Sequence, residues 1–399
     1  MSSGQSRSRW FVIVSYALLA AVTQLLWVTY TPITKASAEY WSVSVDAVGW
    51  LSQVFPLAYV VLALPFGYWA DRSFKGTLAI GALLTGVGAL IRVLPGYEYS
   101  LIGQIVISVG QPLVLNGINK LAAQYAAPER RPLAIAIGSA SLFVGILVST
   151  VSVPLLLESK GMPVVVQSQA ILSAVVVTLF LFALRIRPAF ADDTNATVPI
   201  GSIWSNKWVR QYSFLLFLGF GLFVTLTTWL EVLSTDSGFN AEQVGLALGA
   251  MTLAGIAGAA FIPDWAMLGL RGRGVLCASL AASVAMLIAL AANSPFWLFT
   301  ALLALSGCLL LANLPIILSS AEAKAPSGAA GTVTAVLLLS GNLGGIVLAL
   351  CVQFMLDSRT LAIFFLVAVV AVTVPVALKF PSLTAAAGSK SSNAADQAS

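Results

Sequence analysis

An all-α membrane protein of twelve transmembrane helices is the fold class this sequence predicts, on three observations. Only 9% of its 399 residues are charged and 59% are hydrophobic, whereas an ordinary soluble chain carries about 25% charged residues. Apolar stretches long enough to cross a hydrocarbon core of about 30 Å recur along the whole length. The basic residues, finally, gather in alternate segments between those stretches. Long apolar runs without period-two alternation satisfy their backbone as helices rather than as barrel strands.

Arg7 and Arg9 precede the first apolar run, 10–33. It is too long for a signal-peptide core and lacks a small-residue cleavage pattern, so it is read as a retained span. Five more follow at 47–70, 77–95, 100–123, 132–156 and 163–186. The longest polar stretch, between Arg187 and Lys207, then separates a second set at 211–234, 243–263, 274–292, 296–320, 328–355 and 361–380. The expected organisation is an N-terminal six-helix bundle over 1–188, a cytoplasmic linker over 189–208, a C-terminal six-helix bundle over 209–381 and a disordered cytoplasmic tail over 382–399.

With the N-terminus placed inside, sixteen of the twenty basic residues fall on the cytoplasmic side and only Lys35, Arg92, Lys160 and Arg359 on the other. That asymmetry is the positive-inside pattern. The two halves also echo each other: 132–146 aligns with 331–345, matching Ala136 with Ala335, Ser141 with Ser340 and Gly145 with Gly344. A parallel repeat of six helices is a recurring architecture of membrane carriers.

Composition excludes several activities. The chain has no histidine, which removes His proton relays, Ser-His triads and His-ligated metals together. Cys277, Cys308 and Cys351 lie inside apolar segments as small hydrophobes, with no disulfide or metal spacing. No phosphate-binding GxxxxGK[ST] loop occurs. The net charge of +5 sits in short loops and not on a basic face, so nucleic acid is not an expected partner. No cofactor is implied, and no nucleophile–base constellation marks an enzyme.

Between the second and third spans lies Gly67-Tyr68-Trp69-Ala70-Asp71-Arg72-Ser73-Phe74-Lys75. It resembles the loop signature of the major facilitator superfamily, G-x-x-x-D-[RK]-x-G-[RK], with Phe74 in place of the second glycine. A degenerate second copy runs from Gly258 to Asp264, followed by Arg271 and Arg273. The resemblance implies a major facilitator fold, with Gly67, Asp71, Arg72, Lys75 and Asp264 as gating residues whose contacts hold one conformation and release in the other.

Within that superfamily the first half resembles the feline leukaemia virus subgroup C receptor family, carriers associated with choline, ethanolamine and haem. The residues that carry the likeness are Leu26-Trp27-Val28-Thr29-Tyr30-Thr31, Trp50-Leu51-Ser52, Leu57-Ala58-Tyr59-Val60, Gly103-Gln104 and Gln111. Asn313-Leu314-Pro315 and Ser340-Gly341-Asn342 extend it faintly. The family boxes a quaternary ammonium between an aromatic of its first helix and one of its seventh, with glutamines of the fourth and eleventh nearby. The resemblance thus implies Trp27 and Gln111 as ligands, Asn342 at the eleventh-helix position, and Val224 with Phe223 beside it at the seventh.

Helical spacing supplies an independent reading. Gln104, Ser108, Gln111 and Asn119 share one face of the fourth span, Gln24, Trp27 and Thr31 one face of the first, and Phe220, Phe223, Thr227 and Glu231 one face of the seventh. Each side chain has a second reading. A membrane glutamine often bonds a neighbouring helix, a phenylalanine packs, and a tryptophan anchors at an interface. Glu231 is either an ion-coupling carboxylate, as intramembrane ionisable groups commonly are, or a group reaching out to the outer vestibule. Arg92 is the nearest basic residue to it by level.

No Arg or Lys falls at mid-depth in the first, fourth, seventh or tenth span, whereas anion recognition normally uses one. The sequence therefore points to a secondary transporter of a small cationic, zwitterionic or neutral organic solute of choline or ethanolamine type, working by alternating access. A proton-coupled polyspecific exporter of apolar cations is the alternative, and a haem exporter a more distant one. The expected partners are the solute, the lipid bilayer and, in the coupled case, H+. The expected setting is a bacterial inner membrane, as a monomer with both termini cytoplasmic.

Overall fold

A computed structural model describes residues 8–190, 203–268, 271–325 and 330–380. Fourteen α-helices are assigned among them. They are α1 (Trp10–Trp27), α2 (Thr34–Trp41), α3 (Val45–Arg72), α4 (Phe74–Ile91), α5 (Tyr97–Leu115), α6 (Ile118–Tyr125), α7 (Arg131–Lys160), α8 (Met162–Ala183), α9 (Lys207–Leu233), α10 (Ala241–Leu268), α11 (Gly272–Ala291), α12 (Phe296–Lys324), α13 (Ala330–Gln353) and α14 (Arg359–Leu378). No strand occurs among the described residues, and twelve helical runs are long and apolar enough to cross a membrane. The tail after Phe380 and most of the polar stretch between the two sets lie outside the described residues.

Two spans depart from the expected single helices. The first ends at Trp27 and continues as a 3-10 turn, Thr31–Ile33, into the short α2. Pro32 cannot donate to the helical ladder. The hydroxyls of Thr29, Thr31 and Thr34 bond the carbonyls of Leu25, Leu26, Val28, Tyr30 and Thr31, which loosens the same stretch. The fourth span breaks after Leu115 and resumes at Ile118. Pro112 removes one N–H, and Asn116 turns its side chain on the break: Oδ1 accepts from the Tyr59 hydroxyl at 2.9 Å and Nδ2 donates to the Ala63 carbonyl at 3.1 Å.

The chain forms two compact units. The first comprises Met1–Asn195, Thr227–Val232 and Asn240–Gly249, and the second Ala196–Leu226, Leu233–Phe239 and Ala250–Ser399. In the first, α4 packs on α5 and α1 on α7. The second is built around α11 against α12 and α14. Large apolar side chains stay exposed on both, Ile171 at 65% and Phe261 at 77% among them, as suits a lipid-facing surface.

The aligned glycines make matching contacts. A Cβ on Gly145 of α7 would overlap the Ala21 carbonyl of α1, and one on Gly344 of α13 would overlap the Phe217 carbonyl of α9. In each unit a glycine lets two helix backbones touch at the corresponding place, as small residues do between membrane helices. The faint repeat in the sequence therefore has a packing cause.

In each unit an arginine ties helix ends together. Arg92 at the end of α4 is 2% exposed. Its Nε donates to the Tyr30 hydroxyl at 3.2 Å and its Nη2 to Gln169 Oε1 at 2.9 Å, with the guanidinium 5.0 Å over the Tyr30 ring. In the second unit, Arg359 at the start of α14 donates to the carbonyls of Leu233 (2.7 Å) and Leu290 (2.5 Å) and to the Ser237 hydroxyl (2.9 Å). Arg92 joins α4 to the turn after α1 and to α8; Arg359 joins α14 to the ends of α9 and α11.

Candidate solute site

In the first unit Trp27 closes α1. Its indole N–H donates to the Ser52 carbonyl of α3 at 2.9 Å, its ring lies 6.4 Å from Phe55, and 8% of the residue stays exposed. Gln24, nearly one turn earlier, is also buried. The indole N–H is thus committed inside the unit and not to an interface.

The two glutamines of α5 are both buried but are used differently. Gln104 Nε2 donates to the Leu26 carbonyl at 3.1 Å and the Leu51 carbonyl at 3.0 Å, tying α5 to α1 and α3. Gln111 Nε2 has no hydrogen-bond partner among the described residues, although the residue is 4% exposed. An unsatisfied buried N–H costs about 1–3 kcal/mol. Helix-to-helix bonding accounts for the Gln104 amide N–H, while Gln104 Oε1 and Gln111 Nε2 have no partner among the described residues.

Glu231 lies near the end of α9, within the first unit, and is 8% exposed. Its Oε2 accepts from the Lys35 backbone N–H at 3.3 Å, in the first turn of α2, where the helix dipole favours a carboxylate. Thr227, one turn earlier, is fully enclosed. Arg92 does not meet Glu231: its bonds go to Tyr30 and Gln169, so proximity by level did not predict its partner. Lys75 caps the end of α8, donating from Nζ to the carbonyls of Leu184 (2.9 Å) and Ile186 (2.7 Å). The side chains of Asp71, Arg72 and Asp264, and the surroundings of Gly67, lie outside the described residues.

In the second unit Phe223 stacks on Phe220, ring centroids 6.1 Å apart and planes at 29°, as their i, i+3 spacing on α9 requires. Asn342 is half-buried, and its Nδ2 donates to the Leu338 carbonyl one turn back at 2.9 Å. Sequence reasoning gave Asn313 no site role. Its Nδ2 donates to Ser279 Oγ at 2.7 Å, bridging α12 and α11, while Oδ1 has no partner among the described residues. Beside it, Phe220 and Phe223 line a cavity of about 20 Å³ together with Gly219, Ser279 and Thr373. The only hint in the sequence was an amide two residues before a mid-helix proline, Pro315.

Chemically these positions offer neutral amides, hydroxyls, aromatic rings and one enclosed carboxylate. Among the described residues no group of three His, Cys, Asp or Glu side chains could hold a metal ion.

A family model described as Major Facilitator Superfamily matches residues 12–349. Among curated proteins the chain is similar to solute carrier family 49 member A3 of Danio rerio, 25% identical over 273 residues, covering 63% of this chain and 58% of that one. It is also similar to the choline/ethanolamine transporter FLVCR2 of Homo sapiens, 25% identical over 158 residues, covering 37% and 30%. The mouse choline/ethanolamine transporter FLVCR1 is 26% identical over 161 residues, covering 39% and 29%. The chain therefore spans just over half the length of the first of these relatives and less than a third of the other two. Two solved structures share the fold. One is a bacterial homologue of the human lysosomal transporter Spinster, TM-score 0.71 at 14% identity, covering 95% of this chain and 98% of that one. The other is the nucleoside transporter NupG, TM-score 0.71 at 16% identity, covering 93% and 100%. With twelve candidate membrane spans and a family match that runs through most of its length, the chain belongs to the Major Facilitator Superfamily.

Proposed function

We propose that this transporter moves a small organic amine or alcohol, cationic, zwitterionic or neutral and in the size range of choline and ethanolamine, by alternating access. The observation that carries the reading is Gln111, a buried amide whose N–H finds no acceptor among the described residues. A solute hydroxyl or carbonyl oxygen would supply one. Trp27, Gln24 and Thr227 in the first unit, and Phe223 and Asn342 in the second, are the further positions assigned to solute recognition. Similarity to two choline/ethanolamine transporters supports the same solute class. A cation over an aromatic face gains about 2 kcal/mol once desolvated. The working organisation is two six-helix halves, 1–188 and 209–381, in an inner membrane with cytoplasmic termini, acting as a monomer. The Gly67–Lys75 loop and Asp264 serve as gating elements.

The test is uptake of radiolabelled choline and ethanolamine by proteoliposomes containing wild type, Trp27→Ala or Gln111→Ala. Both variants should insert normally and lose uptake. Wild-type rates in both would remove this site. One observation favours a second reading, a proton-coupled exporter of apolar cations: Glu231 is an enclosed carboxylate held by a backbone N–H. It would exchange that bond for a proton or a cationic solute.

A further inference from the structure

Where α9 and α11 begin and α12 and α14 end, the second unit gathers Lys207, Arg210, Arg271, Arg273, Lys324 and Lys379. None of the six has a carboxylate partner among the described residues, where the ion pair formed is that of Arg359 with Asp236. A basic end of the bundle is what the positive-inside pattern produces. That pattern says nothing, however, about where two of these cations lie.

Lys324 is half-buried, and its Nζ sits 5.3 Å from the centroid of the Tyr212 ring. Tyr212 is 1% exposed, between Trp208 at 5.6 Å and Phe380 at 5.1 Å, and its hydroxyl has no partner among the described residues. Arg273 donates from Nε to the Phe380 carbonyl at 3.0 Å, which leaves the donors on both of its Nη atoms to spare. Two cations therefore flank one ring pair, Tyr212 with Phe380. Arg210 differs: its Nη1 is committed to the carbonyls of Trp204 and Ser205.

The groups left over at this place are all donors, and two of them are charged. Water could satisfy the tyrosine hydroxyl but would leave both positive charges unbalanced. A phosphodiester is an anion that only accepts, and it suits the forked guanidinium. The position at the ends of the spans is the depth of lipid headgroups. Beside Phe380, Val374 and Leu378 stand one turn apart on α14, 37% and 53% exposed, a hydrocarbon track that a free anion would not use. Trp204, 46% exposed at the same end, is the residue type found at a membrane–water interface.

We propose that Lys324, Arg273 and Tyr212 form a docking site for the phosphodiester headgroup of an anionic phospholipid, with an acyl chain along Val374 and Leu378. The site is separate from the residues assigned to the solute and does not depend on which solute is carried.

The experiment measures thermal unfolding of the purified full chain in uncharged detergent micelles with added phosphatidylglycerol, phosphatidylcholine or glycerol 3-phosphate at matched ionic strength. Wild type should gain roughly 2 °C or more in Tm from phosphatidylglycerol and nothing from the other two. Lys324→Gln should lose at least half of that gain, and Lys324→Gln with Arg273→Gln all of it, while Lys324→Arg keeps it. Tyr212→Phe retains both rings and removes only the unpartnered hydroxyl, so it should fold normally and lose part of the gain even if a charge variant fails to fold. Lys207→Gln, which removes an exposed cation of the same face, should respond as wild type does. No gain from phosphatidylglycerol in wild type would overturn the proposal. So would an equal gain from glycerol 3-phosphate, which would mark a site for soluble anions, or an equal loss in Lys207→Gln, which would reduce the effect to the general charge of that face.

Discussion

Replacing Gln111 by leucine separates a functional amide from a structural one, because the two roles predict opposite effects on stability. Gln111 Nε2 is buried without an acceptor among the described residues, so a leucine of similar volume removes an unsatisfied donor that costs about 1–3 kcal/mol. Stability should therefore hold or rise. Gln104→Leu is the internal control: it deletes two bonds, to Leu26 and Leu51, at about 0.5–1.5 kcal/mol each, which offsets the removal of its own unpartnered Oε1, and should leave the protein less stable than Gln111→Leu. Function should run the other way. If Gln111 bonds the solute, losing about 1.4 kcal/mol of that interaction cuts kcat/KM about tenfold. The assay pairs thermal unfolding in detergent with initial rates of ethanolamine uptake in proteoliposomes. A Gln111→Leu protein less stable than Gln104→Leu, with uptake unchanged, would refute the reasoning and make Gln111 a packing residue.

Glu231→Gln keeps an oxygen that can accept the Lys35 N–H but cannot carry a proton on and off. It should insert normally, and flux that no longer responds to an imposed pH gradient would assign coupling to this carboxylate. An unchanged response would assign it to structure. Arg359→Met withdraws donors from the Leu233 and Leu290 carbonyls and from Ser237; at about 1.5–3 kcal/mol for a charged bond, denaturation should shift by several kcal/mol, and a shift under about 1 kcal/mol would make the arginine dispensable. Gly145→Ala and Gly344→Ala each force a methyl onto a neighbouring carbonyl, and each should cost about 1–3 kcal/mol. A neutral result at either site would deny the matched contact.

The spans were legible because lipid imposes one rule on every one of them: enough apolar residues to cross, with the backbone satisfied locally. Departures came where side chains compete with the ladder. The threonines between Thr29 and Thr34, with Pro32, end α1 early, and Pro112 with Asn116 breaks the fourth span. Periodicity placed Phe220 with Phe223 on one face, and Gln104 with Gln111 on another, because both pairs sit at helical spacing. It could not say that the Gln104 amide N–H meets two carbonyls while that of Gln111 meets none among the described residues, since that depends on which carbonyls a neighbouring helix presents. Arg92 shows the same limit: depth alone suggested Glu231, while the turn after α1 and the packing of α8 deliver Tyr30 and Gln169. The Asn313 cavity is a product of four helices packing imperfectly, and nothing in one helix's sequence encodes its volume.

The transported class is tested most directly by competition in wild-type proteoliposomes, with labelled ethanolamine uptake challenged by unlabelled solutes. Ethanolamine, choline and other small amines should compete, and acetate, inorganic phosphate and phosphoethanolamine should not. Full competition by phosphate or a carboxylate, or transport confined to such anions, would contradict a solute class read from neutral amides, aromatic rings and one carboxylate.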